Sequence, residues 1–266
     1  MVVLKDVRID ADFDFLRSVE PPHGTGSKRG KYVFWRVVNG VRDGRNSVWE
    51  TFRREVFEDD ENRFEKFREQ IQSVDAQIDG IARTIFNRHR FLTETITWKF
   101  QRNRGENMHI DNLNGCDKAA QIRLFANLDN KPRQWSIGRH WRHYAEREFD
   151  RAKLSDAVDD PCDFNHRLSA AAFGVSTDTC REPRHMIEFE PGEVWLANSA
   201  LVAHQVRGGD VLALVHHEYP YRSYTDPAES LPALLKNLAR RRSGAPVPIA
   251  EKIRTALQAF RLKRAA

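Results

Sequence analysis

Three short apolar segments that lie close together most constrain the fold of this chain. They span residues 186–189, 194–197 and 211–218, and each has the length of a strand rather than of a helix. Pro191 and Gly192 supply a turn between the first two. Strands spaced this closely, downstream of a long helical pattern, indicate a β-barrel with helices packed outside it.

Further strands are predicted upstream. Residues 93–101 (TETITWKFQ) and 121–128 (QIRLFANL) alternate polar and apolar side chains, which is typical of a strand with one buried face. Residues 31–38 (KYVFWRVV) are rich in β-branched and aromatic side chains and are followed by an Asn-Gly turn, so they predict a first strand.

The helical pattern is confined to a few stretches. Between about residues 58 and 90, apolar side chains recur at every third or fourth position, which predicts a long scaffold helix with one buried face. Residues 138–184 are more polar and predict a helical or irregular insertion. Together these patterns predict an α+β fold.

The chain has 266 residues, enough for one substantial core, and we expect a single domain over residues 1–230. The chain has no apolar run of the roughly 20 residues that span a bilayer, and charges interrupt its N-terminus where a secretory signal would be apolar. Its three cysteines are widely spaced without a Cys-x-x-Cys pair, which favours reduced thiols. We therefore expect a cytoplasmic protein.

Residues 231–266 form a basic C-terminal tail, in which Lys and Arg far outnumber the single acid, Glu251. Apolar side chains recur at helical spacing in residues 231–238 and 249–260, so two amphipathic helices are predicted. These helices either pack on the barrel or rest on an anionic membrane surface, which would make the protein peripheral to the inner membrane. Aromatic residues are not interleaved with the basic ones, so nucleic acid is not an expected partner.

The pattern His109-Ile110-Asp111 follows the strand predicted at residues 93–101. Two side chains two positions apart on an extended segment point to the same side, so they can bind one metal ion. His204 lies immediately before the last predicted strand. Two imidazoles and one carboxylate form a facial triad that suits Fe(II) and leaves positions for a bidentate 2-oxoacid and for O2.

The segments FEPGEVWLANSALVAHQV and GGDVLALVHHEYP, with the upstream His-x-Asp, resemble the Fe(II)/2-oxoglutarate-dependent oxygenases. Within that superfamily, RLFANLDNKPRQWSIGRHWRHYAEREF (residues 123–149) resembles the bacterial Kdo hydroxylases, which hydroxylate 3-deoxy-D-manno-oct-2-ulosonic acid (Kdo) in the inner core of lipopolysaccharide. The resemblance covers about residues 107–219 and leaves the N-terminal part and the basic tail unmatched.

The resemblance implies a double-stranded β-helix (jelly-roll or cupin-like) core with flanking helices. It implies His109, Asp111 and His204 as metal ligands, and Fe(II), 2-oxoglutarate and O2 as cofactors. The implied substrate is a small-molecule or lipid-linked acidic sugar. The segment around His204 also resembles proline and aspartyl hydroxylases, so a free amino acid, a peptidyl side chain or a natural product stays open as the substrate. The non-enzymatic alternative is a basic β-barrel binding protein.

The sequence departs from the family pattern at the site for the far carboxylate of 2-oxoglutarate. Many members carry an Arg on the last strand, but residues 210–216 contain none. Arg123 is the candidate instead, because an Arg on a largely apolar strand needs an anionic partner. Asn127 shares a face with it and is a further candidate for binding the cosubstrate. Arg207 and Lys99 are alternatives.

Three residues are candidates for binding the substrate. Arg133 and Trp135, in the KPRQW motif, either line the pocket or pack a loop, and Asn198 ends a predicted strand. His216 and His217 are neighbours on a strand, so at most one of them faces the barrel interior.

Overall fold

The computed structural model describes residues 1–22, 30–100, 106–111, 119–174, 184–220, 230–244 and 246. The strands are β1 (Val2–Arg8), β2 (Lys31–Tyr32), β3 (Trp35–Val38), β4 (Val41–Gly44), β5 (Thr93–Phe100), β6 (Ala120–Asn127), β7 (Arg133–His140), β8 (His185–Phe189), β9 (Glu193–Ala197), β10 (Val202–Gly208) and β11 (Val211–Tyr219). The helices are α1 (Phe13–Ser18), α2 (Asn46–Thr51), α3 (Glu61–Ile85), α4 (Trp141–Glu148), α5 (Pro161–Phe173) and α6 (Leu231–Arg242). The predicted mixture of helices and antiparallel strands is confirmed.

Eight strands form a large antiparallel sheet in the order β1-β9-β6-β11-β5-β3-β4, with β2 paired to β5 beside that path. Helix α3 covers one face of this sheet, because its apolar side chains recur at helical spacing and pack against the outward side chains of β5, β6 and β11. Asp60 caps the helix by accepting a hydrogen bond from the backbone N–H of Arg63 at 3.2 Å. The helix ends at Ile85, so it is shorter than the predicted span of 58–90.

A second, three-stranded sheet has the order β10-β7-β8. Apolar and aromatic side chains from both sheets meet in one buried cluster, which consists of Phe125, Trp135, Phe189, Trp195, Ala197, Val206 and Leu212. The face of the large sheet that carries Phe125 and Leu212 is therefore its inner face, and the opposite face packs against α3. All the chemistry described below lies on the inner face.

The remaining helices α4, α5 and α6 form a second apolar cluster beside the small sheet. The four leucines of α6 are buried in it, so the first of the two predicted tail helices packs on the protein. On its basic side, Arg241 pairs with Glu146 at 3.2 Å. The second predicted tail helix, Cys116 and Cys180 lie outside the described residues.

Four strands escaped the sequence analysis, and one of them, β4, is exposed along its whole length and so shows no buried face in the sequence. β1 is largely exposed and is defined by its pairing with β9, so its own side chains carry no burial pattern. β7 was missed because Arg133 occupies an inward position where alternation calls for an apolar residue. The helical segment that was predicted to begin at residue 138 begins after His140, where β7 ends. β10 carries His204, which was expected on a connecting segment.

The predicted strand at residues 31–38 is two short strands, β2 and β3. The turn predicted after it is present, with Asn39 and Gly40 both at positive φ (50° and 83°) between β3 and β4. Within the described part of the chain, no helix combines the length and the apolar character that crossing a membrane requires.

Candidate metal centre

The His-x-Asp segment is held in place by the residues that flank each candidate ligand. Met108 and Ile110 are almost completely buried (3% and 4% exposed) in the cluster formed by α4, α5 and α6. Because alternate residues of an extended segment point to opposite sides, this burial directs His109 and Asp111 toward the inner face. The predicted shared orientation of these two side chains is therefore present.

Backbone hydrogen bonds bring the third residue to them. The backbone N–H of His109 donates to the carbonyl of His204, and the N–H of His204 donates to the carbonyl of His109, both at 2.9 Å. The two imidazole centroids lie 4.4 Å apart. The N–H of Asp111 donates to the carbonyl of Ser199, also at 2.9 Å. As a result, one potential ligand atom from each of His109, Asp111 and His204 lies within 4.8 Å of the others.

The hydrogen bonds of the imidazoles suit metal binding. Nδ1 of His109 lies 2.5 Å from the carbonyl oxygen of Asn107, and Nδ1 of His204 lies 3.0 Å from that of Val202. An Nδ1–H that donates to a carbonyl leaves a lone pair on Nε2. The two Nε2 atoms lie 3.5 Å and 3.8 Å from the carboxylate oxygens of Asp111.

Burial also keeps both imidazoles in the neutral form that binds metal. It lowers the pKa of His204 to about 3, with a further contribution from His109, and it lowers the pKa of His109 as well. Two neutral imidazoles and a carboxylate match the donor set of the facial triad, so these residues fit Fe(II). The ring of Trp135 stacks on His204, with centroids 5.0 Å apart and an interplanar angle of 18°, which fixes that imidazole against the small sheet.

A small cavity extends from the metal cluster on the inner face. We call its charged part the buried end, formed by Lys31, Lys99, Glu106 and Arg133. It adjoins the metal cluster, because a carboxylate oxygen of Glu106 lies 3.8 Å from Nε2 of His109. Lys99 and Glu106 form an ion pair. Burial alone would raise the pKa of Glu106, but the adjacent charge and hydrogen bond of Lys99 lower it to about 2.

Arg133 differs from Lys99 because no described carboxylate forms an ion pair with it, although the negative charges of Glu106, Asp129 and Asp210 act on it from a greater distance. It is 1% exposed, its Nη1 donates to the carbonyl of Gly209 at 2.9 Å, and its Nε has no hydrogen-bond partner within the described structure. Burial lowers its pKa to about 10, so it remains charged at neutral pH. Gly209 is at φ +104°, and a Cβ there would lie 2.7 Å from Cγ of Arg133, so only glycine leaves room for this side chain.

Arg123, the predicted anchor for 2-oxoglutarate, lies beside the metal cluster. Its Nη1 forms an ion pair with Asp111 and donates to Oγ of Ser199 at 3.0 Å. It does not line the cavity, whereas Lys99 and Arg133 do. The structure therefore brings Arg123 to a candidate metal ligand rather than to the buried end.

The other predicted site residues divide between the cavity and the scaffold. Arg207 is exposed and lies on the opposite side of β10 from His204. Its Nε–H donates a hydrogen bond to Oγ of Ser136 at 2.7 Å. Asn127 is fully buried, and its amide donates to the carbonyls of Lys131 and Phe189, so the structure uses it to join backbone segments. Neither is brought to the metal cluster.

Arg133 and Trp135 line the cavity from β7, which is a strand and not a loop. Asn198 is half-buried at the end of β9, where its carbonyl accepts a hydrogen bond from the N–H of Leu201. Lys31 and Glu106 were not predicted. No local pattern marks either residue. Lys31 reaches the cavity because β2 pairs with β5, where Lys31 is opposite Lys99.

No known protein family and no curated protein matches the chain. Solved structures of the Kdo hydroxylase, a non-heme Fe(II) alphaketoglutarate dependent dioxygenase, are similar to it. The cobalt(II) complex has a TM-score of 0.54 and 13% identity over 92% of this chain and 86% of that one. The apo structure has a TM-score of 0.52 and 14% identity over 91% and 87%. This chain therefore has the fold of that dioxygenase.

Proposed function

We propose that this protein is an Fe(II)- and 2-oxoglutarate-dependent hydroxylase with His109, Asp111 and His204 as metal ligands. The observation that carries the proposal is the convergence of these three side chains within 4.8 Å, on two segments locked together by reciprocal backbone hydrogen bonds. The structural similarity to an Fe(II)-dependent dioxygenase supports the same chemistry.

The order of the strands supports a double-stranded β-helix as the core. Such a core consists of two facing antiparallel sheets, and the chain crosses from one to the other several times. Here the large sheet contributes β5-β11-β6-β9 and the small sheet β10-β7-β8. The bridge between His109 and His204 extends the small sheet at its β10 edge.

The buried end of the cavity suits 2-oxoglutarate. A buried charge without a partner is costly, and a carboxylate is the partner that a planar guanidinium binds best. Arg133 is buried without a described carboxylate in ion-pair contact, and it shares the cavity with Asp111 and His204. We therefore place the far carboxylate on Arg133, in preference to Arg123, Arg207 or Lys99.

When bound, Fe(II) with 2-oxoglutarate and O2 would supply the oxidising power for replacing a substrate C–H by C–OH, with succinate and CO2 as the coproducts. The chain's own residues orient the reactants and exclude water. Apolar side chains of Val206, Leu212 and Leu214 line the same cavity as Asp111 and His204. Trp135 holds His204 in one orientation.

An acidic sugar of the Kdo type is the acceptor that we propose, because the similar structures are those of a Kdo hydroxylase. The same chemistry on a free amino acid, a peptidyl side chain or a natural product is the alternative. A basic binding protein without activity would not need three metal-binding groups converging beside an unpaired buried cation.

The metal assignment is tested with His204→Ala. Full-length protein should bind one Fe(II) per chain and convert 2-oxoglutarate to succinate, and the variant should lose most of both because the triad is broken. His89→Ala, which changes an exposed histidine, is the matched control. Unchanged iron content and turnover in His204→Ala would contradict the proposal.

The acceptor is tested separately by mass spectrometry. Incubation with Kdo-containing lipid A precursors should add one oxygen atom to the acceptor and increase the formation of succinate. Succinate formation without any oxygenated sugar would keep the oxygenase assignment and reject this acceptor.

A further inference from the structure

One row of side chains extends the site away from the buried end, across the inner face of the large sheet. In the register of the strands, Arg36 is opposite Thr95, Thr95 is opposite His216, and His216 is opposite Arg123. Directly opposed residues of antiparallel strands share a face. We call these four residues the outer row.

The outer row lies on the same face as the cavity. Thr97, Leu214 and Phe125 line the cavity, and each is two residues along its strand from a member of the outer row. Two residues of a strand correspond to roughly 7 Å. Arg123 also contacts Asp111 directly, so the outer row begins at the metal cluster.

Two members of the outer row have polar atoms that await a partner. Nε of Arg36 and Nε2 of His216 are both buried and form no hydrogen bond within the described part of the chain. Arg36 also has no ion pair with any described carboxylate. Leaving a buried polar group unpaired is costly, so such atoms point to a ligand.

The next row of the sheet shows which ligand fits. Glu218 is opposite Thr93 and Gln121, and its carboxylate accepts a hydrogen bond from the Thr93 hydroxyl at 2.8 Å and from the Gln121 amide at 3.5 Å. These two contacts hold the Glu218 carboxylate within its own row. Among the described residues of the outer row, Arg123 has an ion-pair partner and Arg36 has none.

We propose that the outer row is the subsite for the acceptor substrate, in which Arg36 binds a carboxylate and His216 binds a neighbouring hydroxyl group. The guanidinium matches a carboxylate in shape and charge, and an imidazole can donate to or accept from a hydroxyl. The proposal rests on the proposed function, since it names the residues that select the substrate of that same site.

The test uses full-length protein loaded with Co(II) and 2-oxoglutarate, because Co(II) permits binding without turnover. Kdo and its methyl ester, which differ in charge at the carboxyl group, are titrated calorimetrically. The wild-type protein should bind Kdo at least about tenfold more tightly than the ester, since the contact involves two charges. Arg36→Gln should bind both equally, at the affinity of the ester.

Two further variants separate a binding role from a structural one. Arg42→Gln removes the same charge from the same hairpin, but its partner Val37 lies on the opposite face, so the preference for Kdo should persist. Arg36→Lys should recover part of the preference, because it restores the charge without the planar fork. His216→Leu should weaken Kdo and the ester by the same factor.

The proposal is overturned if wild-type protein does not distinguish Kdo from its ester, or if Arg36→Gln retains the preference. If Arg36→Gln fails to fold, a preference in Arg36→Lys as large as that of the wild-type protein overturns the proposal instead. Affinities for Co(II) and 2-oxoglutarate are measured in the same samples and should not change in Arg36→Gln. If wild-type protein binds neither Co(II) nor 2-oxoglutarate, the oxygenase assignment is refuted. The subsite is then tested by titrating Kdo and its ester into metal-free protein.

Discussion

The buried end and the outer row lie on either side of the same metal cluster, and they treat charge differently. At the buried end, Lys99 is neutralised by Glu106, and Arg133 is enclosed by packing at 1% exposure. In the outer row, Arg36 and His216 are only half-buried and retain unpaired nitrogen atoms. An enclosed pocket in which Arg133 can bind a carboxylate suits a cosubstrate that is the same in every turnover. A half-buried row with unpaired nitrogen atoms suits an acceptor that must enter and leave.

The largest expected effect concerns Trp135, which packs against aromatic side chains and against the imidazole of His204. Trp135→Ala should lower the free energy of unfolding by about 3–5 kcal/mol, because it empties a buried site packed against Phe125, Trp195 and His204. Urea denaturation followed by circular dichroism measures this, with Trp135→Phe as the conservative control. A loss below about 1 kcal/mol would show that the buried end is not held by this packing.

The second prediction concerns the spare cation at the buried end. Arg133→Met should weaken the binding of 2-oxoglutarate about tenfold to a hundredfold, because it removes a charged hydrogen-bond donor. The ligand-free protein should not become less stable, since an unpaired buried charge is replaced by an apolar side chain. Calorimetry on the Co(II)-loaded protein gives the affinity, with the exposed Arg42→Met as control. Unchanged affinity would move the anchor to Arg123 or Lys99.

Acid should affect the two regions at different pH values. Burial, together with the positive charge of Arg123, lowers the pKa of His216 to about 4 from its ordinary 6.5. The unfolded chain therefore takes up a proton there before the folded protein does, and stability on the order of 2 kcal/mol is lost as the pH falls from 6.5 to 4.

At the buried end, the lowered pKa of Glu106 makes the loss of stability begin at a lower pH. Its contribution to stability is complete above its ordinary value of 4.5 and is lost only as the pH falls toward 2. Urea denaturation across this range should show that His216→Gln flattens the fall between pH 6.5 and 4, although His204 and His217 titrate there too. Glu106→Gln should change the profile only below about pH 4.5. Identical profiles for the two variants would contradict the distinction between the regions.

The smallest expected effect lies where the regions meet. Arg123 pairs with Asp111 and bonds Ser199, so Arg123→Gln should lower the affinity for Co(II) about tenfold by releasing the orientation of that carboxylate. The visible absorption of bound Co(II) reports both affinity and geometry. Weaker binding of 2-oxoglutarate with unchanged Co(II) binding would instead identify Arg123 as its anchor, as the sequence first indicated.

The sequence alone located the residues whose neighbours dictate their orientation. His109 and Asp111 could be predicted to share a side because Met108 and Ile110 alternate with them, and the apolar spacing within α3 indicated a helix packed on the sheet. α6 was also predictable from its leucines, although burial of that face in the protein was one of two open alternatives.

Only the tertiary structure decided which charged residues face the metal cluster and from which side. Arg133 interrupts the apolar alternation of β7, so the same feature that gives it a function hid its strand. Arg36 and Arg123 are far apart in the chain and join one row solely through the register of β3, β5, β11 and β6. Local patterns encode which way a side chain points along its own strand, whereas strand pairing determines its neighbours, and that pairing depends on contacts between distant segments.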